Sequence, residues 1–488
     1  MTQAAPQGAQ DPPEASPLRP RTLAVFAHPD DETLSAGPLL ATMAGRGHVT
    51  LVTTNRGERG EVIGAELAHL EQDPEALGRH RAQEITGALR ALGVDRHFFF
   101  DELPGLRDRR PPRFTDSGMQ WPPGETAVRA VPADDVREDA FSLADQGVTA
   151  RLLAALIRAE RPHLVLTDEP DGGYGHPDHV ASHQVTMAAV NLAADDRATP
   201  LADDDPLTGT EPWRVPVVAW VVRPQERVRR ALTWLADHPG RPRISEHTAG
   251  PLHVPDATDP MPSIVRPDAQ VDLDVPLGAE VITALGEAMK SHRTQIQVAH
   301  TDPGLVQDSA GHAAGWFGLS NDVLQPVLAR ATAMVAPGWG SGAILRALVS
   351  GADDHGGALD DGAAGDGPPA AADVAPRWYS GVMLAMAGLL GLLVGSIATV
   401  FHRWQVPYGL LLALLAVLTA SVLARALADR RGQVAYTGVL FVVVLAMTYL
   451  GNGDVIVANE AIGVIWLLGA PLVSVLGALA PRRWFRDE

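Results

Sequence analysis

Two short clusters carry the side chains best suited to chemistry. His28, Pro29, Asp30, Asp31 and Glu32 follow the apolar run Thr22 to Ala27, and Tyr174, Gly175, His176, Pro177, Asp178 and His179 lie far downstream, after a second strand-like run, His163 to Thr167. Each cluster puts imidazole and carboxylate groups on a short loop, so a divalent metal could be gripped from two directions. The chain contains no cysteine. Disulfides and thiolate ligands are therefore excluded, and any metal must be held by nitrogen and oxygen.

A zinc hydrolase uses three protein ligands, keeps a position open for water, and needs a separate base to take the water's proton. His28 and Asp31 are three residues apart, and His179 closes the triangle with a second imidazole. Asp30 is then free to act as the base, although spacing leaves open which aspartate binds metal. His176 becomes a general acid or a stabiliser of the developing oxyanion, with Asp178 available to orient it. The same two-imidazole, one-carboxylate set also suits ferrous iron, Fe2+, as well as Zn2+. Taken singly, the first cluster reads equally as a helix cap and the second as a polar loop. Their occurrence together, each after a strand, points to one site.

The elements that must position these residues follow from the pattern between Arg21 and about Ser350. Strands are predicted at 22–27, 49–54, 96–100 and 163–167, and helices at 34–45, 78–92 and 148–160. Such alternation predicts an α/β unit, a mainly parallel sheet with flanking helices, in which ligands sit at the carboxyl ends of strands. No G-x-G-x-x-G opens the first helix, which sets a dinucleotide fold aside.

At 488 residues the chain exceeds what one hydrophobic core normally organises. Its formal charge of −19 is uneven. From Trp378 onward seven Arg and no Lys stand against five acids, a balance of +2, which leaves −21 for the rest. So acidic a unit is a poor polyanion binder, and nucleic acid is excluded as a partner. Residues 1–20, rich in Pro, Gln and Ala, have no signal-peptide core and read as a disordered lead. Residues 351–376, dominated by Gly, Ala, Asp and Pro, read as a flexible linker.

Residues 377–488 contain four apolar runs, 380–401, 406–424, 434–450 and 461–480, none of which contains a charged residue. They predict an all-α transmembrane bundle of four helices in a lipid bilayer. Arg377, Arg425, Arg430, Arg431 and the Arg482, Arg483, Arg486 tail fall on one side, which predicts a cytoplasmic face for the 21–350 unit.

At the two clusters the chain resembles the PIG-L-type zinc-dependent N-acetylglucosaminyl deacetylases, whose signature is AHPDDE with a later HPDH. The likeness runs on through Arg59-Gly60-Glu61-Val62-Ile63-Gly64, His80-Arg81, Asp116 to Met119, Asp171 to His179, Thr294-Gln295 and Leu319-Ser320-Asn321, covering about 21–336. Within the family it is most similar to the class that deacetylates N-acetylglucosaminyl-inositol in mycothiol biosynthesis. The resemblance implies a Rossmann-like fold, zinc on His28, Asp31 and His179, and Asp30 as base. It further implies His176 at the oxyanion or leaving amine, Tyr174 polarising the carbonyl from a mobile loop, and Glu61, Arg81 and Asp116 holding hydroxyls of a small amino-sugar glycoside.

The related mycothiol S-conjugate amidases typically carry Lys where this chain has Ser35 and Pro where it has Gly175, so both positions look like the deacetylase. The chain departs from the family in an acidic insert around 193–210 and in its apolar C-terminal runs. A second expectation, of a different class, makes those runs a transporter or membrane scaffold and the soluble unit regulatory. Their lack of internal charge favours an anchoring role instead.

Overall fold

The apolar run ahead of the first cluster is a strand, Arg21–Phe26, and it lies in the interior of the sheet with Leu23 to Phe26 fully buried. A strand covered on both faces has to be apolar throughout, which explains the missing alternation. In the computed structural model, which describes residues 19–103, 113–122, 129–198, 200, 205–351, 377–449 and 461–476, seven strands form the main sheet. Their spatial order is Leu273–Pro276, Arg330–Val335, Val217–Val221, Leu164–Thr167, Arg21–Phe26, His48–Thr53, Arg96–Phe99. The last five pair in parallel, whereas the first two are antiparallel to their neighbours.

The chain works outward from Arg21–Phe26 through the next two strands, then crosses back to lay Leu164–Thr167 on the other side. Strand order therefore reverses between the two central strands, and at such a switch point the loops part to leave a crevice. Register sets the rest. Thr22 pairs with Leu164 and Val25 with Thr167, so the two strands end level and the two clusters emerge side by side.

Local signals account for the helices that carry site residues. Helix Pro74–Leu92 starts four residues before the sequence expectation, because the Asp73 side chain caps it by accepting from the Ala76 amide and Pro74 sits in the first turn. The helix expected over 34–45 is two, Asp31–Leu34 and Gly37–Ala44, with Pro38 opening the second. The second cluster is itself a helix start: Pro177–Ala194 begins there, capped by the His176 ring, which accepts from the Asp178 amide. A three-stranded antiparallel sheet, Gln297–Thr301, Ala313–Gly318 and Leu324–Leu328, escaped sequence reading.

The chain divides into two compact units at Asp366/Gly367. The second contains helical runs Arg377–Phe401, Tyr408–Tyr449 and Ala461–Leu476. The long middle run cannot be straight. The Tyr436 hydroxyl donates to the Val417 carbonyl at 3.1 Å, whereas nineteen residues of straight helix would separate them by about 28 Å. Ser421 and Gln433 likewise both donate to the Ser474 carbonyl. The run therefore folds back between Val417 and Tyr436, which gives four helical arms among the described residues. By length and composition Leu384–Phe401 and Tyr408–Arg425 could cross a membrane, and the apolar helices Gly432–Thr448 and Ile462–Leu476 are shorter. The expected lead (but for residues 19 and 20), the linker apart from Gly351, and the Arg482 to Arg486 tail lie outside the described residues.

Because the chain has no cysteine, a Val417→Cys, Tyr436→Cys pair reports on the fold-back alone. A short bifunctional maleimide should join the two sites within one molecule in detergent. Modification without cross-linking would mean a straight helix.

Candidate metal centre

His28 Nδ1, Asp31 Oδ2 and His179 Nε2 form a triangle with edges of 3.6 Å between His28 and Asp31, 3.4 Å between Asp31 and His179, and 3.2 Å between the two rings. Donors about 2.0 to 2.2 Å from a tetrahedral metal stand about 3.4 Å apart. The three side chains are buried and already have the spacing of three corners of such a site. His176 is near enough to the two rings to form another grouping, as are Asp116 and Asp178 to His28. His176 Nε2, however, faces Asp116 Oδ1 at 3.9 Å, and His28 meets Asp178 through its other nitrogen.

Carboxylates behind the triangle fix the ring tautomers. Asp178 is fully buried and accepts from the Ser117 amide at 2.9 Å, the Ser117 hydroxyl, the Ser142 amide at 3.1 Å and Asn55 Nδ2 at 3.0 Å. Its remaining contact is His28 Nε2 at 3.3 Å. A proton held there leaves the Nδ1 lone pair directed at the triangle. Asp168 does the same for His179, its Oδ2 lying 3.5 Å from Nδ1 and leaving Nε2 free. Asp178 thus orients His28, whereas the sequence expectation paired it with His176. Its link to His176 runs through its backbone amide, donated to Nδ1 at 3.1 Å.

The charge balance at the triangle favours a cation. Burial alone would depress both ring pKa values, but Asp116, Asp178 and Asp31 outweigh it and hold His28 well above the ordinary range. Asp31 and Asp168 likewise raise His179 despite its burial. Burial pushes Asp31 up, against the pull of the two rings. His176 goes the other way, lowered to about 3 by burial and by His28. The donor set, the edge lengths and the excess of carboxylate all fit a divalent ion.

Asp30 stands beside the triangle in a strained backbone conformation, φ 136°. A non-glycine residue holds such an angle only when its surroundings enforce it. Its amide donates to Glu32 Oε2 at 2.9 Å, and Glu32 Oε1 is held by His292 Nε2 at 2.7 Å and by the Thr33 hydroxyl at 2.6 Å, all in the interior. On the other side Arg81 bonds the Pro29 carbonyl at 2.5 Å, the Gly57 carbonyl at 2.8 Å and the Asp30 carboxylate at 3.2 Å. Burial raises Asp30 to about 6, with Arg81 opposing. Gly57, at φ +64°, lets the guanidinium in, since a Cβ there would stand 2.0 Å from Arg81 Nη1.

The triangle forms the floor of an open cleft of about 990 Å³ whose lining includes Glu61, Arg81, Asp116, Tyr174 and His176. Glu61 is exposed, with its carbonyl held by Gln295 Nε2 at 2.9 Å. Asp116 is buried, accepts from the Gly118 amide at 2.8 Å, and is held below the carboxylate range by His28 and His176 in spite of burial. The Tyr174 ring lies 5.1 Å from that of His179 and 6.1 Å from that of Trp121. Burial and the surrounding Asp31, Asp30 and Asp116 keep its hydroxyl protonated, well above the usual range. All predicted site residues therefore line or back one cleft, although Arg81 is largely committed to protein partners. Sequence reading missed Asp168, Glu32 as a structural acceptor, and His292. Asp168 follows immediately on the strand predicted to 167, which was the available signal; His292, 260 positions from Glu32, had none.

Comparison with known proteins places the sequence in a family. Residues 23–190 match the model of the family described as PIG-L, GlcNAc-PI de-N-acetylase. A 1D-myo-inositol 2-acetamido-2-deoxy-alpha-D-glucopyranoside deacetylase of Kineococcus radiotolerans is 40% identical over 309 residues, 63% of this chain and 74% of that one. The enzyme of the same description from Mycolicibacterium gilvum is 36% identical over 310 residues, 63% of this chain and 88% of its own. Among solved structures, an N,N'-diacetylchitobiose deacetylase of Pyrococcus horikoshii aligns over 41% of this chain and 60% of its own, at 19% identity and a TM-score of 0.29. With strand order, cleft and clustered donors in place, the chain belongs to the PIG-L family of GlcNAc-PI de-N-acetylases.

Proposed function

We propose that the 21–350 unit hydrolyses the acetamide of N-acetylglucosaminyl-inositol, the glycoside its relatives are described as deacetylating, and so serves the mycothiol-pathway step that the family resemblance implies, releasing acetate and the free amine. The observation that carries this reading is the His28, Asp31, His179 triangle at the base of an open cleft, with a carboxylate, Asp30, beside it. We assign these three residues to a zinc ion, or ferrous iron in its place, which when bound polarises the amide carbonyl and acidifies a water. Asp30 takes that water's proton and, as the C–N bond breaks, returns it to the leaving nitrogen. His176 accepts the Asp178 amide at Nδ1, which keeps the N–H on Nε2 to hydrogen-bond the developing oxyanion. The Tyr174 hydroxyl, which keeps its proton, donates a hydrogen bond in the same region. Glu61 and Asp116 receive sugar and inositol hydroxyls, and Arg81 holds Asp30 while contributing to the cleft wall.

The loop favours the deacetylase over the related amidase. Gly175 has φ +92° and a Cβ there would meet the Ala130 carbonyl at 2.9 Å. Proline, locked near −65°, could not occupy this loop conformation.

For the 377–488 unit we infer insertion in a lipid bilayer with the catalytic unit on the cytoplasmic face, the linker of 351–376 joining them. The support is the outward exposure of large apolar side chains around an interior that is itself apolar. Ala387, Ala398, Ala413 and Ala470 lie inside together with Leu440, Val444, Tyr436 and Trp466, and Gly391 lets the Tyr436 backbone approach so closely that a Cβ would be 2.5 Å away. Leu389, Leu393, Ile397, Leu411, Leu415 and Leu468 face outward. Water disfavours so many large apolar groups on a surface, while lipid accepts them and rewards close backbone contact.

Full-length chain in detergent should release amine from N-acetylglucosaminyl-inositol faster than it cleaves a mycothiol S-conjugate. Equal or better cleavage of the conjugate would move the assignment to the amidase. His28→Ala, Asp31→Ala and His179→Ala should each lose bound metal and turnover together, whereas Asp30→Asn should keep metal and lose at least about a hundredfold in kcat. An Asp30→Asn protein without metal, beside an Asp31→Asn protein that retains it, would reverse the two assignments. Glu32→Gln and His292→Ala should keep metal but lower kcat about tenfold to hundredfold with KM little changed; an effect on KM alone would contradict a role in holding Asp30.

A further inference from the structure

The cations around the cleft are matched to carboxylates, with one exception among the described residues. Arg59 pairs with Asp135, Arg81 with Asp30, Arg266 with Glu169 and Asp171, and Arg330 with Asp274. Arg223 has no such partner. It sits two residues beyond the strand Val217–Val221, with its amide donated to the Ile264 carbonyl at 2.8 Å. Its one side-chain hydrogen bond runs from Nη2 to the Leu34 carbonyl at 2.8 Å, and Leu34 closes the short helix that begins at Asp31. Burial, with no acid to offset it, lowers the guanidinium to about 10.

Arg223 also stands where two cavities meet. It lines the main cleft, and together with Leu34, Ser35 and Phe317 it lines a side pocket of about 30 Å³. The other walls of that pocket include Leu39, Val222, Leu285 and Met289. Such a volume admits a group the size of about two waters. A guanidinium fork with free N–H groups is built for planar bidentate acceptors, and a desolvated one without a counter-charge gains most from an anion.

We propose that Arg223 is the receptor for a small oxyanion, a carboxylate or phosphate group, entering from the main cleft into this side pocket. Two sources share that chemistry. One is the acetate released by hydrolysis, which rests on the deacetylase reading above and would place a product site beside the reaction; the other is an anionic substituent carried by the glycoside.

The test compares full-length wild type with Arg223→Gln and Arg223→Lys, at constant ionic strength set with chloride. Calorimetric titration with sodium acetate and with inorganic phosphate, on protein as purified and after chelation, measures binding directly and does not depend on turnover, so a failed deacetylase reading leaves it intact. Wild type should bind at least one of the two anions in both forms, and Arg223→Gln should bind it at least about tenfold more weakly, with Arg223→Lys in between. Acetate binding marks the product as the source. Phosphate binding, with a kcat/KM advantage for a phosphorylated glycoside that Arg223→Gln abolishes, marks the substrate. Unchanged affinity in Arg223→Gln, or binding that disappears on chelation alone, overturns the proposal. Should Arg223→Gln fail to fold by circular dichroism, Arg223→Lys decides by the same criterion, since it retains the charge and loses the fork.

Discussion

Five aspartates, Asp30, Asp31, Asp116, Asp168 and Asp178, are drawn together with three imidazoles in one largely buried cluster, and the catalytic unit is arranged around that concentration of charge. Taking one carboxylate out of water costs several kcal/mol unless it is paired or hydrogen-bonded. The structure compensates each differently. Asp178 is saturated with neutral donors, Asp168 backs a ring, Asp116 lies between two rings, and Asp30 is tied to Arg81. Asp31 has the rings of His28 and His179 and its hydrogen bond from the His28 amide, and these three groups enclose the position a dication would take. The His28 and His179 pKa values, driven upward despite burial, express the same unmet demand for positive charge.

Backbone geometry follows from this requirement. Loops can converge only where strand order reverses, and the level ends of Arg21–Phe26 and Leu164–Thr167 bring the clusters into contact without either loop reaching far. The price of the arrangement is the strained Asp30 backbone, held by Glu32 and His292 on one side and Arg81 on the other.

Much of this was legible in the sequence where the signal is local. The strands that precede the two clusters are short apolar runs, whereas the helix start at Asp73-Pro74 was placed four residues late although cap and proline mark it. His28 and His179 stood out by residue type and spacing, the choice of Asp31 over Asp30 came from the family resemblance, and the structure sets the three donors 3.2 to 3.6 Å apart. Partnerships formed by tertiary packing were not legible. Asp178 looked like a partner of His176, two residues away, yet helix Pro177–Ala194 carries its carboxylate to His28. His292 and Arg223 lie in stretches with no motif, and only the packing of distant elements against Glu32 and Leu34 gives them meaning. In the C-terminal unit apolar content was plain, but the fold-back and the close backbone contact at Gly391 depend on which faces meet.

X-ray absorption at the edge of the bound metal, in wild type and His176→Ala, tests the central claim most directly. The account predicts about four nitrogen and oxygen donors with the scattering of two imidazoles, unchanged by removal of His176. A third imidazole in wild type that vanishes in His176→Ala would contradict it, placing His176 rather than Asp31 on the metal.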